Sequence, residues 1–208
     1  MTAQPAVIVL AAGQGSRFLG ADHKLAQRLG SATVLATTLR HAVATHLPVV
    51  VVTTEQFADV ARRSVAARDV VVLEQAEVAG NSEFGMGFSI ASGVAARSDA
   101  AGWLILPGDM PMVRSATLRE VARGLEQHAV VYAQHKGVRG HPVGFSAELY
   151  SELTGLRGDE GARRLVARYP AVGVEVDDPG VLIDVDTEAE LDVLRQATRP
   201  EGDAPRRT

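Results

Sequence analysis

The sequence predicts an α/β fold in which a mostly parallel β-sheet is covered by helices on both faces. Short runs of β-branched and aliphatic residues alternate with longer stretches whose apolar residues recur at helical spacing. The short runs are apolar at nearly every position, as in strands that are buried on both sides. This alternation is typical of a Rossmann-like, three-layer sandwich of helix, sheet and helix.

Strands and helices alternate through the first 127 residues. The predicted strands are AVIVL (6–10), PVVVVTT (48–54), DVVVLEQ (69–75) and GWLILPGD (102–109). The predicted helices span residues 33–46, 55–67, 86–98 and 113–127. Ligands of a parallel sheet bind at the edge where the strands end, so the loops that follow these strands are candidates for function.

The pattern changes after about residue 130. The polar turn HKGVRG separates two short apolar runs and predicts a β-hairpin. The elements predicted from here are hairpin strands 129–134 and 141–146, helices 146–153 and 159–169, and strands 172–176 and 181–185. A last helix is predicted over residues 187–196, because Thr187 and Glu190 have the spacing of a capping box.

The composition excludes several classes of function. The chain has 208 residues and no cysteine, which excludes disulfides, thiolate metal sites and a cysteine nucleophile. Its formal net charge of −4 disfavours nucleic-acid binding, and no apolar run approaches the roughly 18 residues of a membrane span. We therefore expect a cytoplasmic protein with no nucleic-acid or membrane partner. Residues 1–196 are expected to form a single domain and 197–208 a disordered tail.

A glycine-rich segment with two cations follows the first predicted strand. Residues 10–24 read LAAGQGSRFLGADHK. Small residues let backbone N–H groups approach phosphate oxygens, while Arg17 can hold a phosphate with two N–H groups and Lys24 adds a mobile charge. The spacing matches neither the Walker loop nor the dinucleotide-binding fingerprint. On these residues alone, an ordinary turn with two solvated cations, and a solvent-exposed His23, remains an alternative.

Carboxylates follow two of the predicted strands. Asp109 ends the strand 102–109, which places it at the ligand-binding edge of the sheet. Alternation along the predicted strand 181–185 places Asp184 and Asp186 on one face. Mg²⁺ binds one or two carboxylates together with water and substrate phosphates, so these residues fit a magnesium site. Asp186 also fits a purely structural role at the start of the last helix.

The remaining candidates are a helix start and a few basic side chains. Residues 85–89, GMGFS, open a predicted helix whose first N–H groups can bind an anion, although a flexible connection explains them equally. None of the six histidines has the spacing of a metal-binding pair. On its own, His141 fits a structural or solvated histidine, and Arg139 and Arg163 fit solvated cations.

The glycine-rich segment is similar to the LAAGxSxRxG…K signature of nucleotidyltransferases with a glycosyltransferase-A-type fold. Further stretches match in the same order, at residues 81–93, 106–111, 139–145, 156–163 and 177–187. Over about residues 6–195 the chain most resembles the molybdenum cofactor cytidylyltransferase branch of the MobA-like family. It departs from that pattern in having two residues, Phe18-Leu19, where the family has one, and Glu188 where the family has proline.

The resemblance implies transfer of a nucleoside monophosphate from an NTP to a phosphate-bearing acceptor, with release of pyrophosphate. It implies catalytic roles for Arg17 and Lys24, and ligation of Mg²⁺, or Mn²⁺ in its place, by Asp109 and Asp184. The implied nucleotide contacts are Leu10, Ala11, Ala12, Gly13, Gly15, Ser16, Gly85 and Ser89. The implied acceptor contacts are Arg139, His141 and Arg163, within an acceptor-side insertion at about 130–165.

The resemblance also favours particular substrates. LAAG, with Ala11-Ala12 where guanine-using relatives have LAGG, resembles the CTP-using branch, whose acceptor is molybdopterin carrying molybdenum. Hand-over of the product to a molybdoenzyme or its chaperone would follow. The alternatives are a guanylyltransferase or a relative with another acceptor, a sugar-nucleotide enzyme of the glycosyltransferase-A type, and a non-catalytic nucleotide-binding module. A non-catalytic module would tend to lose Arg17, Lys24 or Asp109, and this chain has all three.

Overall fold

A seven-stranded sheet forms the centre of the protein in a computed structural model, which describes residues 3–13, 18, 22–74, 85–158 and 161–197. Its strands are β1 (Ala6–Ala11), β4 (Val49–Thr54), β5 (Val70–Leu73), β6 (Gly102–Pro107), β7 (Val130–His135), β8 (Val138–Ser146) and β9 (Ala171–Glu175). A separate two-stranded ladder consists of β2 (Arg28–Leu29) and β3 (Ala32–Thr33). The sequence pattern does not predict this short ladder.

The central sheet has the order β5-β4-β1-β6-β8-β7-β9 and is mostly parallel. Strands β5, β4, β1 and β6 run parallel, with Val9 of β1 level with Val51 on one side and Leu106 on the other. Strand β8 is antiparallel to both β6 and β7, while β9 is parallel to β7. The predicted Rossmann-like α/β architecture and the β7–β8 hairpin are therefore confirmed.

Helices cover both faces of this sheet. They are α1 (Val34–Val43), α2 (Glu55–Arg62), α3 (Met86–Ala95), α4 (Ser115–Gly124), α5 (Tyr150–Thr154), α6 (Arg163–Arg168) and α7 (Glu188–Ala197). Val7 and Val9 of β1 point into one buried cluster with α1, α4 and α7. Ile8 points into the other cluster, with α3, α5 and Trp103. Burial on both sides explains why the strands are continuously apolar.

Close packing of α3 on the sheet depends on Gly93. A Cβ atom at this position would overlap the Cγ2 atom of Ile8 and lie 2.8 Å from the Cγ2 atom of Val52. The absence of a side chain therefore sets how closely α3 approaches β1 and β4. Gly85 is the N-cap residue of this helix.

One predicted strand is wrong. Residues 181–185 form no strand, because Pro179–Leu182 is a 3₁₀-helix and residues 183–186 are irregular. Pro179 suits the start of a helical turn, and the Asp178 side chain caps that turn by accepting a hydrogen bond from Gly180 N–H. The N–H of Val185 donates to the carbonyl of Asp109 rather than to a neighbouring strand. The predicted alternation of Asp184 and Asp186 on a strand therefore does not apply.

The other elements differ from their predictions mainly at their ends. The piece predicted as helix 146–153 is a 3₁₀-helix, Ala147–Leu149, followed by α5. The capping box of α7 is confirmed, since Glu190 N–H donates to Thr187 Oγ1 at 3.2 Å and Thr187 N–H to Glu190 Oε2 at 2.8 Å. Residues 198–208 of the predicted tail lie outside the described residues. Among the described helices, none has the length and apolar character needed to span a membrane.

Replacing Gly93 with valine should destabilise the fold by about 1–3 kcal/mol, because the added atoms have no room between α3 and the sheet. Chemical denaturation followed by circular dichroism measures this change. Ala95→Val, at an exposed position of the same helix, is the matched control and should change stability by less than about 0.5 kcal/mol. Equal effects of the two substitutions would contradict the packing role of Gly93.

Candidate active site

Asp109 lies at the carboxyl end of β6, and the backbone of the preceding residue, Gly108, is held from two sides. The N–H of Gly108 donates to the carbonyl of Leu10 at 2.8 Å, and the hydroxyl of Thr38 donates to the carbonyl of Gly108 at 2.9 Å. A Cβ atom at Gly108 would lie 2.9 Å from the carbonyl oxygen of Leu10. These contacts seat Asp109 beside the end of β1, at the edge where parallel sheets bind ligands.

Lys24 joins Asp109 to Asp186. Its Nζ atom lies 2.6 Å from Asp109 Oδ2 and 2.7 Å from Asp186 Oδ1, and the three side chains are 13%, 16% and 17% exposed. Burial opposes the charge on Lys24, but Asp109 and then Asp186 outweigh it and raise the pKa of Lys24 above its usual value. The ammonium group is therefore firmly protonated between two carboxylates.

Asp184 reaches the same site through the irregular segment 183–186. The N–H of Val185 donates to the carbonyl of Asp109 at 3.0 Å, which ties this segment to the end of β6. Burial raises the pKa of Asp184, and the negative charges of Asp186 and Asp109 raise it further. The predicted pair Asp109 and Asp184 is thus brought into one electrostatic field, with Asp186 as a third carboxylate.

Two glycines let the acidic segment pack closely against its neighbours. A Cβ atom at Gly140 of β8 would overlap the carbonyl oxygen of Val181, and one at Gly180 would overlap that of Met112. Both contacts are to backbone atoms, which cannot rotate away from an added side chain. The 3₁₀-helix Pro179–Leu182 is therefore held against β8 and the loop after β6, and it delivers Asp184 and Asp186 to the site.

Sequence reasoning missed the role of Asp178, which is 2% exposed. Its Oδ2 atom accepts hydrogen bonds from the N–H of Arg114 at 2.9 Å and from the hydroxyl of Thr117 at 2.6 Å. Its Oδ1 atom accepts one from the N–H of Gly180 at 3.1 Å. This carboxylate therefore links the start of α4 to the turn that carries the acidic segment. An aspartate directly before Pro179 is the signal that indicates such a cap.

His23 is a positioning residue, not the exposed loop histidine that the sequence suggests. Its Nε2 atom lies 3.0 Å from the carbonyl of Gly13, and its Nδ1 atom accepts a hydrogen bond from the N–H of Leu25 at 3.2 Å. Because a carbonyl only accepts, Nε2 carries the proton and the ring is neutral. Burial lowers the pKa of His23, and the charge of Lys24 adds to this. The ring packs edge-on against Phe57.

The donor set at Asp109 fits a divalent cation. Among the described residues, the buried Oδ1 atom of Asp109 has no hydrogen-bond partner, although its Oδ2 atom contacts Lys24. A buried carboxylate oxygen without a partner is costly unless a ligand satisfies it. The described part of the chain contains no cluster of three or more His, Asp or Glu arranged for a metal. In general, Mg²⁺ binds one or two protein carboxylates and takes its remaining ligands from water and substrate oxygens.

Part of the anion-binding capacity predicted for the start of α3 is already occupied by the chain itself. The N–H of Gly87 donates to the carbonyl of Gly158 at 2.8 Å, and the hydroxyl of Ser89 lies 3.4 Å from the carbonyl of Gly85. A Cβ atom at Gly87 would lie 2.8 Å from the carbonyl oxygen of Arg157. One of the predicted anion-binding N–H groups is therefore used to dock the segment that precedes α6.

The three candidate acceptor contacts are related through His141, because the charges of Arg139 and Arg163 both act on its pKa. Arg139 is exposed, with its guanidinium 4.8 Å from the centre of the Tyr132 ring. His141 follows it on β8, and Arg163 begins α6. Burial lowers the pKa of His141, with Asp109 opposing and both arginines adding to the effect. His141 therefore lies within the electrostatic reach of Asp109, Arg139 and Arg163.

The glycine-rich segment is only partly described. Leu10 and Ala11 end β1, and Ala12 and Gly13 follow it at the same edge of the sheet as Asp109. A Cβ atom at Gly13 would meet nothing described within 4 Å. The candidates Gly15, Ser16 and Arg17 lie outside the described residues, so their roles remain predictions.

Comparison with known families identifies the chain. A model of the MobA-like NTP transferase domain matches residues 7–172. The chain belongs to this family. The match runs from β1 into β9 and includes Lys24 and Asp109, whereas Asp184 and Asp186 lie beyond it.

The chain is also similar in sequence to a curated protein and in structure to proteins whose structures have been solved. The chain is 38% identical over 123 residues to the purine catabolism protein PucB of Bacillus subtilis, an alignment of 56% of this chain and 59% of PucB. It is 29% identical to Rv0371c of Mycobacterium tuberculosis, with a TM-score of 0.78 over 94% of this chain and 100% of that structure. A manganese complex of Rv0371c is 28% identical, with a TM-score of 0.74 over 93% and 99% of the two chains. The chain thus spans less than two thirds of its first curated relative.

Asp178→Ala should destabilise the protein by about 3 kcal/mol, because three donors, two of them in buried contacts, lose their acceptor. Thermal and chemical unfolding measure the loss. Asp177→Ala removes the neighbouring exposed carboxylate and should change stability by less than about 0.5 kcal/mol. A fully stable Asp178→Ala variant would show that this carboxylate does not hold the two segments together.

His23→Ala should weaken nucleotide binding about tenfold, because the turn that presents Lys24 loses its two hydrogen bonds to the ring. Isothermal titration with a nucleoside triphosphate measures the affinity. His128→Ala, which changes an exposed histidine after α4, is the control and should bind as the unmodified protein does. Unchanged affinity of His23→Ala would remove His23 from the site.

Proposed function

We propose that the protein is a nucleotidyltransferase that moves a nucleoside monophosphate from an NTP to a phosphate-bearing acceptor and releases pyrophosphate. The observation that carries this proposal is the cluster of Lys24, Asp109 and Asp186 at the carboxyl edge of the sheet, together with a buried oxygen on Asp109 that no described residue hydrogen-bonds. Such an edge binds ligands in α/β sheets. Membership of the MobA-like NTP transferase domain family supports the same activity.

Asp109 and Asp184 are the proposed holders of Mg²⁺, or of Mn²⁺ in its place. The Asp109 Oδ1 atom, which has no hydrogen-bond partner in the described part of the chain, supports this assignment, as does the existence of a manganese complex of the related Rv0371c. When bound, the cation would neutralise charge on the reacting phosphates. Asp186 lies in the same field but already contacts Lys24.

The chain's own residues would act by position and charge. The acceptor phosphate has a second pKa near 6, so at neutral pH its oxygen can attack without a general base. A new bond forms between this oxygen and the α-phosphorus, and the bond to the bridging oxygen breaks, so that pyrophosphate leaves with the electron pair. Lys24 and Arg17 would stabilise the phosphate charge, while Arg139, His141 and Arg163 would hold the acceptor.

The proposed nucleotide is CTP and the proposed acceptor is molybdopterin carrying molybdenum, with hand-over of the product to a molybdoenzyme or its chaperone. The support is the resemblance of Ala11-Ala12 in the LAAG motif to the CTP-using branch. Ala11 and Ala12 are buried at the end of β1, so a difference in their size would alter the shape of the adjoining site. A guanylyltransferase, another acceptor and a sugar-nucleotide reaction are the competing outcomes.

The deciding experiment supplies Mg²⁺, each α-labelled NTP in turn and purified molybdenum-loaded molybdopterin, and follows both pyrophosphate and labelled product. Formation of a labelled dinucleotide with CTP supports the full proposal. Preference for GTP, or transfer only to a different phosphorylated acceptor, would keep the activity and correct the substrates. Absence of pyrophosphate with every NTP, in a protein that is folded by circular dichroism, would overturn the proposal.

Asp109→Asn should lower turnover by about 10²-fold or more while the fold is retained, because a neutral amide binds a divalent cation more weakly than a carboxylate does and the charge on the reacting phosphates is then less well neutralised. Steady-state pyrophosphate release and thermal unfolding measure the two effects. Asp99→Asn, at an exposed position between α3 and β6, is the matched control. Near-normal turnover of Asp109→Asn would remove Asp109 from the metal role.

A further inference from the structure

We infer that Lys24 is an internal counter-ion that lies beside the proposed cation position, on the other oxygen of Asp109, until a nucleotide draws it away, so that metal and nucleotide bind cooperatively. This inference rests on the proposed function and adds a way in which that same site is regulated. It concerns the protein before substrate binds. A lysine that serves the transferred phosphates would first have to leave Asp109 and Asp186.

The first support is the contact itself. The Nζ atom of Lys24 lies within 2.7 Å of one oxygen on each of two carboxylates that come from distant parts of the chain. All three side chains are less than one-fifth exposed, so water screens the interaction weakly. A divalent cation that approached Asp109 with Lys24 in place would meet an ammonium charge at close range, which disfavours metal binding.

The second support is the geometry of Lys24. Its backbone is held in the 3₁₀-helix Lys24–Ala26, which His23 anchors to Gly13. The ammonium group sits at the end of four flexible carbons, so it can change partner by side-chain rotation alone. The segment that contains Gly13 ends the strand next to Asp109. A triphosphate held there would offer oxygens that compete with the two carboxylates for Lys24.

The coupling follows from these two points. Once Lys24 contacts phosphate, the Oδ2 atom of Asp109 no longer pairs with Lys24, so both carboxylate oxygens can bind a cation. The positive charge of Lys24 then lies closer to the nucleotide than to the metal position. Metal affinity then rises, and by thermodynamic linkage the metal strengthens nucleotide binding by the same factor. An ordered site of this kind would bind the metal together with its NTP and would bind little metal without it.

The test exploits the fact that the chain has only two lysines, Lys24 and Lys136. Mn²⁺ binding is measured by electron paramagnetic resonance for the full chain, for Lys24→Met and for Lys136→Met, each without nucleotide and with a non-hydrolysable CTP analogue. Lys136 is exposed at the turn of the β7–β8 hairpin, remote in sequence from the cluster, so Lys136→Met is the matched control.

Without nucleotide, Lys24→Met should bind Mn²⁺ about tenfold more tightly than the unmodified protein, because the competing charge is gone. The analogue should tighten Mn²⁺ binding about tenfold in the unmodified protein and in Lys136→Met, but much less in Lys24→Met. Equal or weaker Mn²⁺ binding by Lys24→Met without nucleotide would overturn the inference, because Lys24 would then hold the carboxylates in place for the metal.

A second measurement does not depend on the variant's folding. In unmodified protein with isotope-labelled lysine side chains, the NMR signal of Lys24 should move when the analogue and Mg²⁺ are added, while that of Lys136 stays in place. An unmoved Lys24 signal at saturating analogue would overturn the inference. Neither measurement requires turnover. The counter-ion role of Lys24 is therefore tested independently of whether the protein releases pyrophosphate.

Discussion

The ion cluster of Lys24 with Asp109 and Asp186 joins parts of the chain that are 162 residues apart at their extremes. Lys24 comes from the segment after β1, Asp109 from the end of β6, and Asp186 from the irregular segment before α7. Because two carboxylates and an ammonium group are stable in a buried place only when they are paired, each segment restricts the position of the other two. The arrangement of the site depends on this mutual restriction.

The sheet supplies the frame, and two secondary contacts align the cluster on it. Parallel strands β1 and β6 bring the glycine-rich segment and Asp109 to one edge. The bond from Val185 N–H to the carbonyl of Asp109 adds the acidic segment to that edge, and the buried Asp178 anchors the turn that precedes it. These two contacts thus hold the segment that carries Asp184 and Asp186 against the edge of the sheet where Asp109 lies.

The charges around the site are arranged in two groups. The carboxylates and Lys24 lie beside the end of β1, while Arg139, His141 and Arg163 lie toward β8 and α6. Both groups act on the pKa of His141: the negative charge of Asp109 raises it, and the positive charges of the two arginines lower it. The proposed nucleotidyl transfer between two anionic substrates would need such a division, because each substrate must be attracted while their mutual repulsion is offset.

The sequence by itself determined the mostly parallel sheet, the alternating helices, the hairpin, the capping box of α7 and the placement of Asp109 at the edge of the sheet where the segment after β1 also begins. These features follow from periodicity, local capping and the rule that parallel strands end at one edge, all of which are short-range or topological. Only the tertiary structure decided that residues 181–185 are not a strand, that Asp186 pairs with Lys24, and that Asp178 and His23 hold the site together. The apolar run VLI resembles a strand locally, but the Asp178 cap and the close approach of Gly180 to Met112 impose a turn. Such contacts join residues far apart in sequence, so no local pattern specifies them.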